Sequence, residues 1–142
     1  MVKRLSRIPN GIAFPSSREL LAAVDRYLEL ELKKAGLDKD AIADVAISVT
    51  ELVTNAIKHG NKEDESKVVI LELHPSPVEI TIYVEDEGDG FDPSQVANPL
   101  DEQNLLKEAG RGIFIARSLV DAVEFEKGKG GGTRVKLTKK MP

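Results

Sequence analysis

Two polar side chains with the chemistry of a phosphate site lie four residues apart near the middle of the chain. Glu51 and Asn55 project side by side if this segment is helical, because residues four apart share a helix face. A carboxylate can orient a hydroxyl group and accept its proton, and an amide oxygen is a neutral, hard ligand for Mg²⁺. A solvated helix face carries the same residue types, and the spacing alone favours that plainer interpretation.

A further carboxylate, Asp86, ends a predicted strand. Apolar and polar residues alternate within 78–84, and Asp86 continues the apolar row, which places it on the buried face. An unpartnered buried carboxylate is costly, so Asp86 needs a hydrogen-bond donor, and the exocyclic amino group of adenine would serve. Gly88 and Gly90 lack Cβ atoms and would let a flat ring approach the backbone closely.

Two other interpretations of this segment stay open. Asp and Gly are the commonest turn formers, so 86–90 could be a plain turn. The run 85–90 also partly mimics the first half of a calcium-binding EF-hand loop. The glutamate that such a loop needs six residues after Gly90 is Val96, and a strand precedes the run instead of a helix. Both features disfavour calcium.

Two glycine-rich segments follow. The first, 110–112 (GRG), precedes an apolar stretch over 113–120 that predicts a short helix, and a helix N-terminus binds anions through its unpaired amides. Lys107 and Arg111 would add positive charge there, although a flexible loop end is the alternative. The second, 128–133 (GKGGGT), lacks the GxxxxGK[ST] spacing of a P-loop, so a hairpin turn is the better interpretation.

The first helix is predicted from signals at its two ends. Ser16 and Glu19 have the spacing of a capping box, so a helix is expected to begin there and to stop near Gly36. Asp38 or Asp40 can cap a second helix, because a carboxylate at that position accepts hydrogen bonds from the first free amides.

The second helix carries two stripes of opposite character. Three- and four-residue steps connect an apolar stripe, which comprises Ile42, Val45, Ala46, Val49, Val53, Ala56 and Ile57. The polar stripe comprises Asp44, Ser48, Glu51, Asn55 and Lys58. His59-Gly60 should end the helix, with Gly60 in the left-handed cap conformation.

The remaining segments predict a sheet. Strands are expected over the first dozen residues, with a break near Pro9, and over 68–73, 78–84, 123–126 and 133–138. Alternation in the last strand puts the Thr133 hydroxyl on the core side. The polar stretch 92–110 predicts a loop long enough for a lid. This order predicts a two-layer α/β (α+β) sandwich, whose mainly antiparallel, mixed sheet carries the helices on one face.

Composition bounds the function. The length of 142 residues fits one domain, so 1–142 is expected to be a single unit. A net charge of −4 and an aromatic content of 4% argue against direct nucleic-acid binding, and the acidic balance argues against a membrane surface. With no cysteine, no apolar run of spanning length and a polar N-terminus, the sequence predicts a cytoplasmic protein.

Taken together and in this order, the motifs resemble those of the GHKL ATPases. The matching segments are 51–60 (ELVTNAIKHG) for the N box, 86–91 (DEGDGF) for the first glycine box, 110–113 (GRGI) for the second and 132–133 (GT) for the closing pair. The resemblance runs from about Ser16 to Leu137. It implies the Bergerat-type ATP-binding fold, with Mg-ATP held between a polar helix face and two glycine-rich loops.

The resemblance also implies a role for each matching position. Asn55 would bind Mg²⁺, and Glu51 would be the general base or orienting carboxylate. Asp86 would recognise the adenine amino group, with Thr133 beside it. The remaining ATP contacts would come from Lys58, His59, Gly88, Gly90, Lys107, Gly110, Arg111 and Gly112.

Within the superfamily, the chain is most similar to the anti-sigma-factor serine/threonine kinases of bacterial partner switching. A sensor histidine kinase would carry a phosphoacceptor helix pair before the N box, where only a short stretch stands here. The resemblance implies phosphorylation of an anti-sigma antagonist, binding of a sigma factor or other target, and homodimerisation, with Arg18 and Arg26 of the first helix in the partner surface. The alternatives are an ATP-binding module that switches partners without phosphorylating them, and a slow ATPase within a larger assembly.

Overall fold

Six strands form one antiparallel sheet in the computed structural model, which describes residues 3–88 and 108–141. They are β1 (Ser6–Ile8), β2 (Gly11–Pro15), β3 (Val68–Pro75), β4 (Glu79–Glu85), β5 (Ala122–Lys127) and β6 (Thr133–Lys140). Their order across the sheet is β1-β2-β3-β4-β6-β5, and every neighbouring pair is antiparallel. The predicted two-layer α/β sandwich is confirmed, and its sheet is antiparallel throughout these strands instead of mixed.

Three helices accompany the sheet within the described ranges. They are α1 (Leu21–Lys34), which follows a 3₁₀ turn (Arg18–Leu20), α2 (Lys39–Asn55), which continues into a π-helical turn (Ala56–Gly60), and α3 (Glu108–Leu119). Helix α2 contacts both α1 and α3. None of these helices has both the length and the apolar character needed to cross a membrane.

The core lies between one face of the sheet and the apolar stripe of α2. Strand register aligns the buried residues into rows: Leu71 lies opposite Ile12 on one side and Val84 on the other. Val84 in turn lies opposite Val135. All four side chains are buried. Because strand side chains alternate between the two faces, this register places all the apolar residues of these rows on the sheet face that packs against the helices.

Two capping predictions are resolved by the structure. Ser17, not Ser16, caps the first helical turn, and its Oγ accepts a hydrogen bond from the Glu19 amide at 3.4 Å. Ser16 is instead buried, and its Oγ donates to the Lys67 carbonyl at 2.8 Å, so it belongs to the junction with β3. Asp38 is the cap of α2, since its Oδ1 accepts from the Ala41 amide at 2.8 Å.

Two burial predictions are wrong for local reasons. Val78 is 69% exposed because it lies in the turn before β4, so the buried row begins at Ile80. Ser48 is fully buried despite its place in the polar stripe of α2. Its hydroxyl donates to the Asp44 carbonyl at 2.8 Å, which satisfies the group without water.

The other face of the sheet carries a charged cluster centred on Arg134. Its guanidinium nitrogens lie 2.9 Å from Glu85, 3.1 Å from Glu126 and 3.4 Å from Glu72. The guanidinium carbon lies 3.9 Å from the centroid of the Tyr83 ring. Arg134 therefore bridges three glutamates from three strands beside the candidate site, although its single charge offsets only part of theirs.

Replacing Arg134 with Ala is expected to lower the free energy of unfolding by about 2 kcal/mol, because half-buried glutamates would lose their shared cation. Urea unfolding at pH 7 measures this change. Arg18→Ala is the matched control: Arg18 pairs with Glu63, and their side chains are 56% and 48% exposed, so a change below about 1 kcal/mol is expected. Equal losses in both variants would contradict the assignment.

Candidate functional site

Asp86 joins the end of β4 to the start of β6. The residue is buried, and its Oδ1 accepts hydrogen bonds from the Gly88 amide at 2.9 Å and the Thr133 amide at 3.1 Å. The Asp86 amide donates to the Thr133 carbonyl at 2.9 Å. Asp86 and Thr133 are thus direct neighbours, and the second carboxylate oxygen, Oδ2, lies beside Gly60.

Three glycines form the walls around this carboxylate. A Cβ atom at Gly60 would overlap the Asp86 carboxylate, one at Gly132 would overlap the Asp86 carbonyl, and one at Gly88 would overlap the Gly60 carbonyl. Backbone therefore packs on backbone here with no room for a methyl group. The three glycines thus surround the carboxylate at positions where no side chain would fit.

The left-handed cap predicted for Gly60 is wrong. Gly60 ends the π-helical turn, which the Asn61 amide closes by donating to the Ala56 carbonyl at 2.8 Å. The left-handed conformations come later, at Lys62 (φ 53°) and Glu63 (φ 58°). What requires glycine at position 60 is the close approach of Asp86.

Burial sets the protonation behaviour of Asp86. Burial raises the pKa of Asp86 above its ordinary value of 3.8, and the hydrogen bonds from Thr133 and Gly88 partly offset that effect. The two backbone donors both bond to Oδ1 of this buried carboxylate. Its other oxygen, Oδ2, can therefore accept a hydrogen bond from a further donor.

A second part of the site lies between α2 and α3. Glu51 and Asn55 are both half-buried on α2, and Gly112 of α3 stands against them. A Cβ atom at Gly112 would lie 2.8 Å from Glu51 Oε2 and 3.4 Å from Asn55 Nδ2. The missing side chain therefore lets α3 pack directly against the carboxylate and the amide.

Helix α3 begins earlier than the sequence predicts. It starts at Glu108 instead of Ile113, so Gly110, Arg111 and Gly112 lie in its first two turns and not ahead of it. Glycine is a poor helix former, which is why the sequence suggests a later start. The packing of Gly112 on α2 compensates for this poor propensity.

The other predicted contacts are spread around this cleft. Lys58 is half-buried in the π-helical turn, while His59 and, on α3, Arg111 are exposed. Gly90 and Lys107 lie outside the described residues, as does the predicted lid over 92–110 apart from its last three residues. Among residues 3–88 and 108–141, no three His, Cys, Asp or Glu side chains cluster as a metal site.

Sequence patterns do not reveal one polar residue of this region. Asn61 is completely buried, and its side chain touches the segment that follows Asp86. The one available signal is its position, since an asparagine directly after a helix-ending glycine often bonds to nearby backbone.

Comparison with known families identifies the class of protein that this fold and site define. Residues 14–139 match the family model described as the histidine kinase-like ATPase domain. The chain therefore belongs to this family, and the resemblance to GHKL ATPases is confirmed.

Individual relatives narrow the class. The chain is 38% identical over 104 residues to an anti-sigma F factor of Clostridium perfringens, an alignment that covers 72% of this chain and 74% of the relative. It is 34% identical over 133 residues to the serine-protein kinase RsbW of Staphylococcus aureus, with 88% and 82% covered. At this moderate identity, the chain groups with the anti-sigma factors and RsbW-like serine kinases.

Solved structures agree with the fold. A structure of the RsbU and RsbW domains of a Mycobacterium tuberculosis protein matches with a TM-score of 0.61 at 21% identity, over 99% of this chain and 33% of that one. A histidine kinase domain from a blue-light-activated kinase of Erythrobacter litoralis matches with a TM-score of 0.55 at 21% identity, over 99% and 65%.

The raised pKa of Asp86 predicts a pH-dependent effect of Asp86→Asn. The folded protein binds a proton at Asp86 more tightly than the unfolded chain does, so Asp86 lowers stability progressively as the pH rises from about 3.8 through its folded pKa. Asparagine keeps an acceptor for both amides without this cost. The stability of Asp86→Asn relative to wild type is therefore expected to increase between pH 3.5 and pH 7 in urea titrations, and a constant difference would contradict the burial argument.

Proposed function

We propose that this chain is an ATP-dependent serine/threonine protein kinase that acts as an anti-sigma factor and phosphorylates an anti-sigma antagonist. The observation that supports it most directly is the two-part cleft: Asp86 among three glycines at one end, and Glu51 with Asn55 facing Gly112 at the other. A pocket for a flat base and a polar helix face for phosphates fit one nucleotide. The relatives named above are anti-sigma factors and serine-protein kinases.

Asp86 would select the base. The Thr133 and Gly88 amides both donate to Oδ1, which leaves Oδ2 as the acceptor for the exocyclic amino group of adenine. The surfaces of Gly60, Gly88 and Gly132 would lie against the ring, and Gly90 would extend them. Guanine carries a carbonyl oxygen where adenine carries the amino group, so the carboxylate would disfavour it.

Asn55 would hold Mg²⁺ when the nucleotide is bound, because its amide oxygen is a hard donor on the face of α2 that meets Gly112 of α3. The metal would neutralise phosphate charge. Lys58, His59, Arg111 and Lys107 would add cations around the phosphates. Gly110 and Gly112 would let the first turns of α3 come close to them.

Glu51 would orient the acceptor serine of the antagonist. The serine oxygen would form a bond to the γ-phosphorus while the bond from that phosphorus to the β–γ bridging oxygen breaks, and ADP would leave. Glu51 would take the proton that the serine hydroxyl loses.

The surface of the first helix would meet the protein partners. Arg26 is exposed on α1, and Arg18, just before it, is more than half exposed and paired with Glu63. We further propose that 1–142 acts as one kinase domain with 92–110 as its lid, that it forms a homodimer, and that it works in the cytoplasm.

Calorimetric titration of wild type and Asp86→Asn with Mg-ATP tests the base pocket. The two backbone donors would hold the oxygen of the substituted amide inward, so its NH₂ group would point at the adenine amino group, donor against donor. Affinity is expected to fall at least tenfold, in line with loss of a hydrogen bond to a charged group worth about 1.5–3 kcal/mol. Unchanged affinity would reject the adenine role of Asp86.

Glu51→Gln tests the transfer step. The variant keeps the size and packing of the side chain against Gly112 but cannot accept the serine proton, so transfer from γ-labelled ATP to the cognate antagonist is expected to fall about 100-fold or more. The Kd for Mg-ATP should stay within about threefold. Asp44→Asn, two turns earlier on the same stripe, is the control and should transfer normally. A wild type that binds ATP without phosphorylating its antagonist would favour the nucleotide-switch alternative.

A further inference from the structure

Asn61 links three segments through a fully buried side chain. Its Nδ2 donates to Ser16 Oγ at 2.7 Å and to the Val68 carbonyl at 2.9 Å, and its Oδ1 accepts from the Glu87 amide at 2.8 Å. These partners lie in the junction before the first helix, at the start of β3 and directly after Asp86. One side chain thus uses both ends of its amide.

The orientation of this amide is fixed by its partners. The Glu87 amide can only donate and the Val68 carbonyl can only accept, so oxygen and nitrogen cannot exchange places. Ser16 Oγ donates its own proton to the Lys67 carbonyl at 2.8 Å, which leaves it as an acceptor for Asn61. Every donor in the network therefore has one acceptor.

The network holds the chain on both sides of the base pocket. The backbone amide of Asn61 closes the π-helical turn that presents Gly60 to Asp86. The side-chain oxygen of Asn61 holds Glu87, the residue after Asp86. Glu87 is tied again by its Oε2, which accepts from the Val68 amide at 2.8 Å. With Glu87 fixed, the Gly88 amide is directed back to Asp86 Oδ1.

We propose that Asn61 is a positioning residue for base recognition: it holds the segment 86–88 so that Asp86 Oδ1 is occupied by Gly88 and Thr133 and Oδ2 faces the ligand. Among the described residues, Asn61 reaches the pocket through Glu87 and Gly60. This inference rests on the proposed function, because it assigns Asn61 to the adenine end of the same site. It implies that loss of Asn61 weakens all adenine nucleotides equally, since the phosphate end is untouched.

Asn61→Ala is the direct test. With AMP, ADP and Mg-ATP as calorimetric probes at 10 °C, the Kd for each is expected to rise about tenfold, by the same factor for all three. Circular dichroism verifies that the variant is folded at that temperature. Loss of affinity confined to ATP would overturn the proposal, because it would place the effect at the phosphates.

Ser16→Ala is the matched control. It removes the bonds of Ser16 Oγ to Lys67 and Asn61 but leaves the Asn61–Glu87 bond in place, so stability should fall while each Kd stays within about twofold. Asn61→Asp keeps an acceptor for the Glu87 amide and is expected to bind within about threefold of wild type even if it is destabilised. If Asn61→Ala does not fold, Asn61→Asp still tests the proposal. A tenfold loss of nucleotide affinity in Ser16→Ala or in Asn61→Asp would overturn it.

Amide hydrogen exchange in the nucleotide-free protein separates this proposal from the kinase assignment. The Gly88 amide bonds to Asp86 and not to Asn61, yet its exchange should accelerate at least tenfold in Asn61→Ala and stay near wild type in Ser16→Ala and Asn61→Asp. Unchanged Gly88 protection in a folded Asn61→Ala would refute positioning, whether or not the wild type binds ATP. Failure of the wild type to bind any adenine nucleotide would instead refute the proposed function.

Discussion

The hydrogen bonds accepted by one oxygen of Asp86 hold the candidate site together. They tie the end of β4 to the start of β6 and to the amide two residues on. A buried carboxylate without hydrogen-bond donors would be costly, so the backbone segments that supply its donors must lie beside Asp86. The glycines at positions 60, 88 and 132 are a consequence, because the segments that surround the carboxylate approach too closely for side chains.

The same constraint determines how α2 ends. An ordinary α-helical end with a left-handed glycine would turn the chain away at Gly60, whereas the π-helical turn brings the Gly60 backbone against Asp86. One continuous helical segment therefore reaches from Glu51 and Asn55, opposite Gly112, to the carboxylate at the base pocket. The fold needs no separate element to connect the two ends of the cleft.

Much of the fold follows from local pattern, and the departures arise where tertiary contacts override it. Apolar, β-branched composition predicts β3, alternation predicts β4, and the glycine-rich turn predicts the β5–β6 hairpin. The apolar stripe of α2 predicts its buried face. Ser16 and Gly60 are misassigned because each has a plausible local role, as a cap or as a helix stop. The actual partner of Ser16 is 51 residues away, and that of Gly60 is Asp86, just after β4. Of the candidate site, Glu51, Asn55, Asp86 and Thr133 are predicted from spacing, order and the family resemblance. Asn61 is not, because a buried asparagine is defined by what surrounds it.

The place of β6 in the sheet has a consequence for the order in which the protein can mature. This strand lies between β4 and β5, and its first residue, Thr133, is 47 positions beyond the aspartate that it completes. Asp86 is therefore synthesised well before its second donor, and contacts of such long sequence separation form late. Nascent chains could bury the α2 stripe on β3 and β4 early, yet under the proposed function they would be unable to retain nucleotide until β6 is inserted. Ligand binding would then report the insertion of β6 and not merely the collapse of the chain.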